Sequence, residues 1–189
     1  MEKKLSDYIV EIETFLPNKK NEQFLKLLNN NSFNFTQAGL AGSEPSIDTK
    51  IRDALTFTLG CINETSMRNI HWANTLHYYF KSAVIKYNQL TNSDIVCNIV
   101  DIQILKYLIG GFYRTHIDSG VWAMRTLSFV YFINDDYKGG QLFFKSGEKE
   151  YQIEIKKNKL VVFPSNFMFE HGVKPVTEGT KFAVVSWAQ

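Results

Sequence analysis

The sequence predicts a mainly β fold: a double-stranded β-helix, or jelly roll, with helices packed on one face. Two patterns carry that expectation. After Ser93, short runs rich in β-branched and aromatic residues recur, separated by turn signals such as Lys138-Gly139-Gly140, Ser146-Gly147 and Glu178-Gly179. Before Ser93 the longest apolar periodicity is helical, and helices followed by closely spaced strands suit a two-sheet core covered on one side. Residues 1–189 read as a single domain, with 1–92 as helical support and a substrate-loop region and 93–189 as the jelly-roll core. A chain of this length can bury a core without disulfides or a structural metal.

Taken in order, Val10 and Ile12 alternate with Glu11 and Glu13 between Ile9 and Phe15, the period of a half-buried strand, and Pro17-Asn18 breaks it. A short helix follows, with Phe24, Leu25, Leu27 and Leu28 on its buried side and the Asn29-Asn30-Asn31 run at its end. Thr36 to Lys50 has turn chemistry and no periodicity, a loop that suits either a substrate lid or plain surface. From Ser66 to Tyr87, Ile70, Ala73, Leu76, Phe80, Val84 and Tyr87 recur at intervals of three and four, which predicts one long amphipathic helix. His71 and His77 lie about 240° apart around it, so they cannot share a metal. Eight strands are then expected: Ile95–Leu108, Tyr113–Ile117, Thr126–Asn134, Gln141–Phe144, Tyr151–Ile155, Leu160–Phe163, His171–Val176 and Lys181–Trp187.

The formal net charge of +2 is too small to imply a polyanionic partner, and no nucleic acid is expected. The basic cluster Lys156-Lys157-Asn158-Lys159 reads as solvated turn residues. Cys61 and Cys97 have no neighbour at a metal or redox spacing and are expected as free thiols, packed as small hydrophobes in a reducing compartment. No signal-peptide core and no uninterrupted apolar run of membrane length is present, so a cytoplasmic protein without a membrane span is expected.

The chemistry concentrates in a few positions. His116 and Asp118 are two residues apart, and in an extended strand such residues point the same way and can grip one ion together. His171, arriving from another strand, completes a set of two imidazoles and one carboxylate, which holds one side of an octahedral metal and leaves the other open. Lys181 shares its strand parity with Ala183, Val185 and Trp187, and a lysine pointing inward among apolar neighbours calls for an anion.

These residues sit within Tyr107-Leu108-Ile109-Gly110-Gly111-Phe112-Tyr113-Arg114-Thr115-His116-Ile117-Asp118, the run from Arg125 to Asp135, Gly139-Gly140, Val162-Phe163-Pro164 and the stretch from His171 to Trp187. Together with Ile51-Arg52, they resemble the 2-oxoglutarate and Fe(II)-dependent oxygenases, in particular the prolyl 4-hydroxylase-like branch, from about Asp48 to Trp187.

The resemblance implies a dioxygenase in which His116, Asp118 and His171 bind Fe(II), Lys181 pairs the distal carboxylate of 2-oxoglutarate, and Tyr107 lies beside that cosubstrate. O2 would be the oxidant and ascorbate a reductant. It further implies that Tyr113, Arg125 and Trp187 meet a proline-containing peptide or protein substrate. Tyr113 stands an odd number of residues before His116, so only a bulge or twist would turn it toward the metal. Phe132 stands where relatives often have a tyrosine that helps hold the cosubstrate, and Asp118, where halogenating relatives have a small residue, favours hydroxylation. Two alternatives remain at this stage: the same chemistry on a free amino acid or other small molecule, and a non-catalytic cupin-like metal-binding or sensing module.

Overall fold

The computed structural model describes residues 4–30, 32–40, 46–121 and 123–189. The chain forms strand β1 (Val10–Ile12), helix α1 (Asn18–Asn29), strands β2 (Thr36–Gln37), β3 (Arg52–Asp53) and β4 (Leu55–Thr58), and the long helix α2 (Met67–Thr91). Strands then follow one another: β5 (Ile99–Tyr107), β6 (Phe112–His116), β7 (Leu127–Phe132), β8 (Lys138–Gly139), β9 (Leu142–Ser146), β10 (Lys149–Gln152), β11 (Lys159–Pro164), β12 (His171–Val173), β13 (Val176–Glu178) and β14 (Lys181–Ala188). A seven-stranded sheet has the order β1-β11-β7-β14-β5-β4-β2, and a five-stranded sheet the order β10-β9-β12-β6-β3; β8 and β13 pair separately. This is the expected jelly roll, with the helices on one face.

Strand β7 shows how the layers are built. Its residues alternate between two apolar clusters: Phe129 and Tyr131 join Leu76 and Phe80 of α2, while Val130 and Phe132 join Leu142, Phe144 and Phe163 between the sheets. A strand covered on both faces is mostly apolar, and all six residues of β7 are buried, Ser128 among them. Helix α2 buries Trp72, Leu76, Phe80, Ala83, Val84 and Tyr87 on the other side of that sheet. Its start is fixed by Ser66, whose hydroxyl accepts the Asn69 N–H, and by Glu64, which accepts from the Ser66 N–H and the Asn69 side-chain amide, each at 2.8 Å. Left-handed Asn92 (φ 52°) ends it one turn beyond the expected limit. His71 is exposed and His77 half-buried, both away from the metal-ligand cluster described below.

Several expectations need correction. Residues 1–92 are more than helical support: β3 pairs with β6 and β4 with β5, so this half extends both sheets. Such two- to four-residue strands are too short to display a period. Pro175, which has no N–H to donate, separates β12 from β13 within the run expected as one strand. Residues 41–45 of the Thr36–Lys50 loop lie outside the described residues. Cys61 is exposed and only Cys97 is half-buried; neither is in a disulfide. Among the described residues, no helix is long and apolar enough to cross a membrane.

Asn158 and Lys159, expected in solvent, are buried. Strand β1 lies along β11 and brings Glu11 to the Lys159 ammonium at 2.7 Å, a partner 148 positions away in sequence. Asn158 adopts φ 66° and ties the segment before α1 to the sheet: its side chain accepts the Leu16 N–H at 3.0 Å and donates to the Leu16 carbonyl at 2.8 Å and to Asn18 Oδ1 at 3.0 Å. Asn158→Ala removes all three bonds and places a β-carbon in left-handed backbone. It is expected to lower the unfolding free energy by about 2–4 kcal/mol, read from urea titration.

Candidate metal centre and its pocket

His116 ends β6 and His171 begins β12, and the antiparallel register sets the two directly opposite. Three residues further back on β6, Tyr113 pairs with Val173, only two residues on from His171. That mismatch is a bulge on β6, and it turns Tyr113 onto the face of His116, where the rings stack with centroids 3.7 Å apart at 21°. The condition that parity imposed on Tyr113 is thus met. Asp118 lies just past β6 with one carboxylate oxygen 3.4 Å from His116 Nε2 and the other 3.4 Å from His171 Nε2. The candidate ligand atoms of all three residues lie within 4.8 Å of one another.

Neighbouring groups aim these ligands. The Nδ1 of His116 is 2.9 Å from the Arg114 carbonyl and that of His171 is 3.0 Å from the Phe169 carbonyl, so each Nδ1–H donates to backbone and each Nε2 lone pair faces the cluster. Ser128 donates to Asp118 Oδ2 at 2.6 Å and lies 2.8 Å from the Ser165 hydroxyl. Burial alone would raise the Asp118 pKa, but the His171 and His116 imidazoles outweigh it and hold the carboxyl well below its ordinary value. Burial pulls the His116 imidazole down, against the hydrogen bond to Asp118. Two neutral nitrogens and one carboxylate oxygen, converging without a cation of their own, fit a divalent metal such as Fe(II).

Lys181 is fully buried at another part of the same cavity. Its ammonium donates to the Gly140 carbonyl at 2.6 Å and sits 5.2 Å from the Tyr107 ring centroid and 5.3 Å from that of Phe132. No salt bridge to a carboxylate is present for it among the described residues. Desolvation accordingly lowers its pKa to about 7. Gly140 (φ 66°) makes room for it, since a β-carbon there would come within 3.2 Å of Lys181 Cδ.

The cavity, about 280 Å³, brings together all eight residues singled out in the sequence: His116, Asp118, His171, Lys181, Tyr107, Tyr113, Arg125 and Trp187. The Arg125 guanidinium lies 3.6 Å from the Trp187 ring centroid. The sequence reading did not assign Arg52, Thr56 and Gln103 to the site, yet they line it too. Arg52 packs 4.7 Å over the Tyr113 ring and donates to the Gly39 carbonyl at 2.9 Å. The short strands carrying Arg52 and Thr56 have no period to mark an inward face; the place of Ile51-Arg52 among the motifs of the resemblance was the available signal for the first. Ser128 was hidden within the apolar run of β7.

Gly172, between His171 and Val173, has no space for a side chain: a β-carbon would lie 2.7 Å from the Phe143 ring and 2.8 Å from the Tyr113 carbonyl. Gly172→Ala must push β12 away from β6 or β9. It is expected to weaken Mn(II) binding by at least about tenfold in a fluorescence or calorimetric titration, the effect of misplacing one ligand or its support.

Residues 102–189 match the model of the 2OG-Fe(II) oxygenase superfamily. A PKHD-type hydroxylase of Gloeothece citriformis is 34% identical over 90 residues, which cover 44% of this chain and 40% of that protein. One from a Synechococcus strain is 36% identical over 99 residues, covering 48% of this chain and 43% of the relative. The match thus spans about two fifths of these relatives' length. Among solved structures, a Trichoplax adhaerens prolyl hydroxylase in complex with a hypoxia-inducible-factor oxygen degradation domain peptide superposes with a TM-score of 0.76 at 20% identity, over 97% of this chain and 84% of that one. A Pseudomonas putida prolyl-4-hydroxylase gives 0.72 at 18%, over 96% and 92%. Both likenesses are of fold.

Proposed function

We propose that the chain is a 2OG-Fe(II) oxygenase of the prolyl 4-hydroxylase-like branch and that it hydroxylates a prolyl residue of a peptide or protein, a reading supported by the match of residues 102–189 to that superfamily's model and by the fold shared with prolyl hydroxylases. The reaction consumes 2-oxoglutarate and O2 and releases succinate and CO2; one oxygen atom enters the new hydroxyl and the other the succinate carboxylate. The observation that carries this reading is the convergence on one cavity of the His116–Asp118–His171 cluster, an aromatic-lined space and a buried lysine that has no carboxylate partner among the described residues. Fe(II) and 2-oxoglutarate, when bound, supply the activation of O2 and the two electrons that the hydroxylation requires.

The protein's own residues bind, orient and exclude water. His116, Asp118 and His171 hold the metal from one side, and Lys181 offers its ammonium to the distal carboxylate of 2-oxoglutarate, beside Tyr107. Phe132 supplies no hydroxyl there, so Lys181 carries that role with less help than a tyrosine would give. Tyr113 and Trp187 flank the C–H surface of a pyrrolidine ring, and Arg125 donates to an adjacent carbonyl, which fixes the edge that is oxidised. A proline-rich segment already favours the extended polyproline II form, so little ordering entropy opposes its entry. Ascorbate serves as the reductant that keeps the metal ferrous, and the free thiols of Cys61 and Cys97 accord with the reducing cytoplasm.

His171→Ala is expected to abolish succinate release together with a gain of one oxygen on proline-containing peptides, read by mass spectrometry. Undiminished turnover would remove His171 from the metal site.

The Lys181 environment sets a pH dependence. The free protein carries this lysine charged below about pH 7 and neutral above it, and only the charged form attracts an anion. Above that pH, binding of 2-oxoglutarate must therefore take up a proton, so its Kd should rise with pH, approaching tenfold per unit. Anaerobic calorimetry between pH 6.5 and 8.5 measures this, and Lys181→Arg, whose charge does not titrate there, should flatten the profile. A flat profile for the parent would show that Lys181 does not titrate over this range in the free protein, and an unchanged Kd in Lys181→Ala would show that it is not the anchor.

A further inference from the structure

The structure assigns a second, unfilled anionic demand to this cavity. We infer that Arg52 and Arg125 form a subsite for a carboxylate of the acceptor, so that the acceptor is an acidic molecule rather than a neutral prolyl segment. The inference rests on the reading of this cavity as the acceptor site.

Three observations carry it. Among the described residues, the charged side chains lining the cavity, apart from the imidazoles, are Arg52, Arg125, Lys181 and Asp118, three cations against one carboxylate. With Asp118 on a divalent metal and Lys181 on a 2-oxoglutarate dianion, those four charges cancel and both guanidiniums are left over. Secondly, neither arginine has a strong partner of its own among the described residues. Arg52 has only the Gly39 carbonyl, while Arg125 has a long contact to the Asp118 carbonyl at 3.4 Å and the mostly exposed Asp101 carboxylate at 3.9 Å. Thirdly, of the five buried side-chain polar atoms without a partner among the described residues, three belong to residues lining this cavity: Arg52 Nε, Arg125 Nε and Thr56 Oγ1. Buried donors are ordinarily satisfied, so the two guanidiniums are under-partnered within the fold.

The packing of the two guanidiniums fits that role. Each lies against an aromatic ring, Arg52 on Tyr113 and Arg125 on Trp187. Aromatic faces hold a guanidinium in place with little help from an anion, and they leave its in-plane N–H groups free for a carboxylate. Tyr113 stacks in turn on His116, so an acceptor anchored through its carboxylate is referenced to the metal ligand itself.

The test uses matched probes on the full chain loaded with Fe(II) and 2-oxoglutarate, with binding measured anaerobically and hydroxylation then read by mass spectrometry after admission of O2. Ac-Ala-Pro-Ala-amide is neutral, Ac-Ala-Pro-Ala with a free terminus carries an α-carboxylate, and Ac-Ala-Pro-Asp-amide carries a side-chain carboxylate. Ac-Ala-Ala-Ala, as free acid and as amide, repeats the comparison without proline. At least one acidic prolyl probe should bind about tenfold or more tightly than the neutral one, and which of the two does so identifies the source of the carboxylate. Arg52→Gln should reduce that preference to less than about threefold, whereas Arg52→Lys should keep part of it; circular dichroism shows whether each variant folds. Equal binding of acid and amide by the parent protein overturns the subsite without any variant, and if the neutral peptide is still hydroxylated the prolyl reading stands. An acid preference that survives intact in folded Arg52→Gln also overturns it. If the proline-free acid binds and is oxidised as well as the prolyl acid, with the acid preference present in both pairs, the prolyl reading fails while the carboxylate subsite holds.

Discussion

The placement of His171 opposite His116 is the constraint from which the rest of the site follows. Strand register is discrete, because a slip by one residue would carry an imidazole to the other face of the sheet. Strand β12 is held from both sides, by β6 at His116 and by β9 at Phe144, so its three residues cannot slide against one neighbour without breaking with the other. Gly172 is packed too closely against Phe143 and Tyr113 to carry a side chain, which removes the remaining freedom. The bulge on β6 then does what a regular ladder cannot: it puts Tyr113 and His116, three residues apart, on one face. One register thus fixes two metal-ligand candidates and part of the cavity lining beside them.

The cavity is electrostatically incomplete in the protein alone. Lys181 is fully buried without a carboxylate partner among the described residues, and desolvation draws its pKa to about 7. Contrast Lys159, which is equally buried but holds Glu11 at 2.7 Å. The two lysines mark the difference between a charge neutralised within the fold and one left for a ligand. Leaving a cation unpaired costs stability, so its retention in a cavity also lined by Arg52 and Arg125 supports the proposed binding of anions there.

Much of this was legible in the sequence where side-chain period and burial reinforce one another. A strand forms in each of the eight C-terminal runs, although Pro175 splits the one at His171–Val176 and the one at Tyr151–Ile155 ends at Gln152; the long helix and the strand at Val10–Ile12 form too, because their periods are long or clean enough to show. The candidate metal cluster was legible for the same reason, as was the inward parity of Lys181 with Ala183, Val185 and Trp187. What escaped depends on contacts between distant segments. Lys159 looked solvated because nothing near it in sequence announces Glu11, and the strands at Arg52–Asp53 and Leu55–Thr58 exist because β6 and β5 offer them an edge.

The division of the site along the chain follows from this. The segment matching the superfamily, 102–189, contains His116, Asp118, His171 and Lys181, and it also supplies Tyr113, Arg125 and Trp187. Arg52 and Thr56 come from outside it, on short strands that complete the two sheets and close the cavity from the N-terminal half. Residues that bind a metal and a fixed cosubstrate have one geometry to satisfy, whereas those that meet the acceptor have to match whatever it carries. Under the proposed assignments, the acceptor space is therefore composite: one guanidinium comes from the matched segment and the other from the N-terminal half, each lying on an aromatic ring of the matched segment. Within this arrangement, a change at Arg52 alters the charge offered to the acceptor while leaving every proposed metal ligand and the cosubstrate lysine chemically intact.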